Sequence, residues 1–177
     1  MVTMSASAAV MAGALYSDLK RGTIPNSLTY PAIVLGLLLG YVVGGTEGLL
    51  SSVQGCGLGF VILFLGFMFG GIGGGDVKLA AALGALTGFG TTALGLMYMG
   101  LLAGAIALGI ITWKGKLLSS LKNMWRFIFT SLVPALETEQ LDEQNSDGFP
   151  LGIAIVGGWA WALIEQQLGV SLFGVQL

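Results

Sequence analysis

Two aspartates, Asp18 and Asp76, are the residues of this chain whose types and positions could do chemistry. Asp18 lies in "YSDLKRGTIPN" at the end of the first apolar run, and Asp76 lies in "GGIGGGDVK" where a later run begins. Ionisable groups in or beside membrane spans are costly and mark function by default. Two carboxyl groups that meet can hydrolyse a peptide bond. One, ionised, takes a proton from water; the other, protonated, hydrogen-bonds the scissile carbonyl. Close like charges cannot both ionise cheaply, so such a pair shares a proton and titrates as a unit.

The alternative is that each acid only caps a helix. Asp is a good N-cap, which suits Asp76. It does not suit Asp18, which stands at a helix C-terminus against the dipole. Function therefore outweighs capping. Asp76, at a helix N-terminus beside Lys78, is expected to be the resting base. Asp18 is expected to be the resting acid, although Lys20 and Arg21 oppose that.

The elements that must position this pair are apolar. The chain has 177 residues, 55% hydrophobic and 9% charged, with a mean hydropathy of +0.88 and 30 glycines. A soluble domain carries about a quarter charged residues. An all-α integral membrane protein is expected, with residues 1–177 forming a single domain. Six apolar segments fall at about 2–18, 27–44, 52–71, 77–91, 93–113 and 150–168. They predict six transmembrane helices, each near the roughly 20 residues a bilayer crossing needs. The breaks are "DLKRGTIPN", "GGTEG", the glycine run before Asp76, a "GFGTT" turn, and a polar loop at 114–149.

Charge sets the orientation. Lys20, Arg21, Lys78, Lys114, Lys116, Lys122 and Arg126 all fall on one side if six spans begin with the N-terminus outside. That side is the cytoplasm by the positive-inside rule. "AGA" at 12–14 resembles a signal-peptidase site, but no basic residue precedes the apolar run, so a retained first span is expected.

Absent residues exclude other chemistries. With no His there is no HExxH zinc site and no Ser-His or Cys-His dyad. The single Cys56 forms no internal disulfide or thiolate cluster and reads as a small core residue. No metal, cofactor or nucleic-acid partner is expected.

Glycine can approach a substrate without a Cβ and offer backbone N–H groups, which is the role expected of Gly73 and Gly75. For the glycines at 55, 57, 59, 84, 88, 95, 100, 104 and 109, helix packing is the preferred reading. Residues 114–133 interleave Lys114, Lys116, Lys122 and Arg126 with Leu117, Leu118, Leu121, Trp125, Phe127 and Phe129. They predict an amphipathic helix lying in the cytoplasmic interface against membrane lipids. The acidic run that follows, Glu137, Glu139, Asp142, Glu143 and Asp147, reads as a solvated loop. The sharper alternative is an electrostatic guide for a basic peptide.

"DLKRGTIPN" (18–26) followed by "GGGDVK" (73–78) resembles the type IV prepilin peptidase family, which includes preflagellin peptidases and belongs to the GxGD intramembrane aspartyl proteases. Asp18 matches the first catalytic aspartate, Lys20 the basic position after it, and Ile24, Pro25 and Asn26 the "IPN". Gly73, Gly75 and Asp76 match GxGD, with Lys78 two residues on. "FPLGIAIVGG" (149–158) resembles the family's Pro- and Gly-rich opening of the last span more loosely.

The resemblance implies removal, at the cytoplasmic face of a bacterial inner membrane, of the short basic leader of a prepilin or pseudopilin. Bifunctional members carry paired CxxC motifs and a methyltransferase activity in a domain before the first aspartate. Only 17 residues precede Asp18 here, and one cysteine is present. That departure argues against N-methylation. It makes the chain look more like the short peptidases of tight-adherence pili.

Three rivals remain on the residues alone. A lipoprotein-signal-peptidase-like enzyme also uses two aspartates, but its site faces outward. A small proton- or ion-coupled transporter could use the pair as a relay, though it has no need of a glycine run together with "IPN". A non-catalytic assembly factor would need neither acid.

Overall fold

Helix α1, Val2–Arg21, ends where its sequence stops supplying apolar residues, and Lys20 and Arg21 in its last turn complement the dipole. The computed structural model describes residues 2–68, 72–113 and 151–168, and three further helices follow α1. These are α2 (Asn26–Met68), α3 (Gly74–Trp113) and α4 (Leu151–Leu168). The chain divides into two compact units, Met1–Leu102 with Leu151–Leu177, and Ala103–Pro150. Of the second, the described part is the continuation of α3 over 103–113. The candidate site and its packing lie in the first.

The described residues thus form four helices where six were expected. The two internal breaks predicted at "GGTEG" and "GFGTT" are not loops. Each is one glycine with non-helical backbone, Gly45 (φ 62°) in α2 and Gly88 (φ 76°) in α3. Both lie in the left-handed region that only glycine enters at little cost.

The chain reverses at each glycine. Residues eight apart in a straight helix are separated by about 12 Å along the axis. Yet a Cβ built on Gly48 would strike the carbonyl oxygen of Gly40. The first half of α2 runs alongside α3 in the same direction, with Asn26 near Lys78 and Gly36 near Ala85. The second half returns, with Gly55 against Gly84 and Gly59 against Ala80. Beyond Gly88, α3 runs antiparallel to α4: Thr91 donates to Gln166 at 3.4 Å and Gly158 lies against Met99. α4 in turn is antiparallel to α1, with Gln167 donating to Met4 and Gly152 against Asp18.

The core of this unit is built from small residues. Ala80, Ala82, Ala85 and Ala154 are fully buried with Leu79, Leu83 and Trp159, while Leu38, Val42, Val43, Phe60 and Val61 are exposed. Small residues inside and large apolar ones outside are what packing in a lipid solvent favours. Among the described residues, two helices are long and apolar enough to cross a membrane, Asn26–Met68 and Gly74–Gly109.

Not every glycine assigned to packing packs. Gly55, Gly59, Gly84, Gly88 and Gly95 have close neighbours, whereas Gly57, Gly100, Gly104 and Gly109 have none within 4 Å. Sequence alone does not say which face of a helix a glycine occupies. The expected interfacial helix at 114–133 and the acidic run after it lie outside the described residues.

Candidate active site

Asp18 is held in the last turn of α1 by the way that helix ends. Its carbonyl accepts the N–H of Gly22 at 2.8 Å, and Gly22 has φ 64°, a left-handed helix cap. Ser17 is buried and donates to the carbonyl of Thr23 at 2.9 Å, which folds the loop back. Ile24 is buried, and the Pro25 carbonyl accepts the N–H groups of Leu28 and Thr29 to start α2. The "TIPN" segment is therefore the hinge that brings α2 back beside Asp18.

Asp76 lies in the first turn of α3, three residues after Gly73. The Gly73 carbonyl accepts the N–H of Asp76 at 3.1 Å, and the backbone of Gly73 hydrogen-bonds the Asp76 carboxylate in return. The bond to the carboxylate is the half of a capping box that a glycine cap permits, with Gly73 the cap and Asp76 the third helical residue. The capping alternative weighed for Asp76 would make it the cap itself; it stands instead at the third helical position. A Cβ on Gly73 would stand 3.1 Å from Oδ2 of Asp76, and one on Gly75 would stand 3.3 Å from Cβ of Ile24. Gly75 thus lets α3 close onto the "IPN" hinge, a packing role beside the substrate-facing one expected for it.

The two acids meet. Asp18 is the charged group that acts through space on the Asp76 carboxylate, although the residues are far apart in sequence and belong to different helices. Both are partly exposed at the same end of the unit.

The flanking residues divide into two sets. Lys78 donates from Nζ to Oδ1 of Asn26 at 2.9 Å and stands 5.8 Å from the centre of the Tyr30 ring, so it joins the first turns of α2 and α3. Lys20 turns away and donates to the hydroxyl of Tyr16 at 3.0 Å on an exposed face. A double-mutant cycle on Lys78→Met and Asn26→Ala should give a coupling of about 0.5–1 kcal/mol, small because the bond is exposed. Thermal unfolding checks it, and strictly additive losses would deny the link.

Residues 5–112 match the sequence profile of the type IV leader peptidase family. The chain belongs to that family. The matched span contains Asp18, Lys20, Pro25, Asn26, Gly73, Gly75, Asp76 and Lys78. Among curated relatives of the chain, the prepilin peptidase EppA of Methanothermobacter thermautotrophicus is 43% identical over 84 residues. These are 43% of this chain and 21% of the relative. The prepilin leader peptidase/N-methyltransferase of Burkholderia pseudomallei is 32% identical over 107 residues, 56% of this chain and 34% of the relative, in two strains. The chain thus spans about a fifth to a third of the length of these relatives. No solved structure matches.

Sequence reasoning passed over two features of this family member. Gly152 lies against the Asp18 carboxyl group, outside the matched span. It falls inside the "FPLGIAIVGG" segment noted above, but nothing in that segment says that this glycine would lie against Asp18. Glu165 is buried in α4 and hydrogen-bonds the hydroxyl of Tyr98 at the other end of the unit. The signal for it was available, since an acid inside an apolar run is uncommon.

Proposed function

We propose that this chain is an aspartyl endopeptidase of the GxGD type that removes the short basic leader of a type IV prepilin-like protein. The observation that supports the proposal is that the charge of Asp18 acts through space on the Asp76 carboxyl group, the two residues being presented by separate helices. Family membership makes leader removal the reaction such a pair would serve.

The chemistry follows from one shared proton. The ionised carboxyl takes a proton from water as its oxygen attacks the scissile carbonyl, while the protonated one donates to the carbonyl oxygen. A tetrahedral diol results. Its collapse returns a proton to the departing nitrogen and leaves a free carboxyl terminus on the leader. The substrate must be extended at the cut, because a helical amide is covered by its own turn.

The membrane arrangement is part of the proposal. A straight helix of 43 residues would be about 65 Å long, twice the roughly 30 Å of a bilayer core. The reversals at Gly45 and Gly88 support dividing α2 and α3 into two crossings each, giving six with α1 and α4 and the N-terminus outside. Both aspartates would then face the cytoplasm with Lys20, Arg21 and Lys78, at the inner membrane of a bacterium. A prepilin-type leader arrives there before its apolar helix is extracted.

Purified protein in proteoliposomes should release the leader from a prepilin-type peptide carrying its apolar helix, cutting at one bond. Mass spectrometry of both fragments checks it. An intact peptide, or cleavage at scattered bonds, refutes the assignment.

A further inference from the structure

The last helix reaches the aspartate pair at one residue, Gly152, and reaches it through the carboxyl group of Asp18. A Cβ built on Gly152 would collide with Oδ2 of Asp18 and stand 3.2 Å from its Cγ. The contact is made by a bare Cα in the first turn of α4, where backbone N–H groups lack helical partners and the dipole is positive.

α4 cannot easily retreat from this contact. Gly158 lies against the backbone of Gly95 and Met99, and the fully buried Trp159 ring lies on Gly95. Those residues belong to the half of α3 beyond the reversal at Gly88, whereas Asp76 begins the half before it. The helix that limits where the Asp18 carboxyl can stand is therefore fixed by the returning segment and not by the turn that carries Asp76.

Resting on the peptidase reading, we propose that Gly152 is a positioning residue for the reaction. Its lack of a side chain sets the orientation in which the Asp18 carboxyl group faces Asp76. Any side chain there displaces the carboxyl without removing it. A mere packing role would instead lower stability and leave the chemistry of the folded fraction unchanged.

The test compares Gly152→Ala with Gly157→Ala in proteoliposomes. A Cβ at Gly157 would meet only the flexible end of Leu102, at 3.0 Å. For Gly152→Ala, kcat should fall about 100-fold, the scale of a 1 Å misplacement of a reacting group. KM should stay within about twofold, since only the placement of a catalytic group changes. The pH–rate profile should be displaced because the two carboxyl groups no longer face each other as before. Gly157→Ala should behave as the unmodified protein.

The outcomes separate. An unmodified protein that cleaves nothing overturns the peptidase reading and this role with it. Cleavage by the unmodified protein with an unaltered kcat and pH profile for Gly152→Ala overturns the positioning role alone. So does a loss of folded protein whose remaining fraction keeps the normal pH profile.

A second variant tests the contact itself. The Cβ positions at 18 and 152 are 3.8 Å apart, the mean for a disulfide. Asp18→Cys with Gly152→Cys, in a Cys56→Ser background, should cross-link on mild oxidation. A folded protein that fails to do so overturns the inference.

Discussion

Asp18→Asn and Asp76→Asn should each lower prepilin cleavage by about 10⁴-fold, the upper range for losing a general acid or base, and leave the protein folded. Asn is close in volume to Asp, so the contact of residue 18 with Gly152 survives. At position 76 the amide oxygen can still accept from the Gly73 backbone, so the start of α3 keeps its cap. What each change removes is a carboxyl that can gain and lose a proton. The two residues act on one substrate in one step, so the double variant should be no slower than the worse single one. Unfolding temperatures should stay close to that of the unmodified protein. Cleavage surviving either change would end the two-carboxylate mechanism.

The two aspartates stood out in the sequence because charge is so scarce. In a chain with nine acids and seven bases, two acids at the ends of apolar runs are conspicuous, and the basic residues beside them point to a common side. The partners of those acids were not legible. Gly152 meets Asp18 only after α1 and α4 have packed antiparallel, and no local pattern announces that.

The helix count misled for a related reason. "GGTEG" and "GFGTT" read as loops because glycines and polar residues cluster there. A single residue at positive φ is enough to turn the chain, and helical hydrogen bonding resumes at once on both sides. Glycine content was likewise visible, but its division into close-approach and open faces depends on which helix arrives opposite. Gly55 and Gly57 are two residues apart on one helix, and only the first touches backbone.

That contrast sets the second large effect. Gly84→Leu should be strongly destabilising, whereas Gly57→Leu should be close to neutral. A Cβ on Gly84 would run into the carbonyl group of Gly55, 2.6 Å from its carbon, and stand 3.0 Å from the nitrogen of Cys56. The obstacles are backbone atoms, which cannot rotate aside, so the helices must separate. On the opposite side a Cβ on Gly36 would stand 2.6 Å from the carbonyl carbon of Ala85, so the first half of α3 is held between both halves of α2. Overpacking a tight core costs about 1–3 kcal/mol and sometimes more. With no flexible neighbour to yield, about 3 kcal/mol is expected, which lowers the unfolding temperature by roughly 6–12 °C in a chain this size. Gly57 has nothing within 4 Å, and a surface change of that kind stays within about 0.5 kcal/mol. Thermal unfolding of both variants in detergent measures the difference. Equal unfolding temperatures would mean that α2 and α3 do not meet at Gly55 and Gly84, and the support that holds Asp76 in place would be lost with that contact.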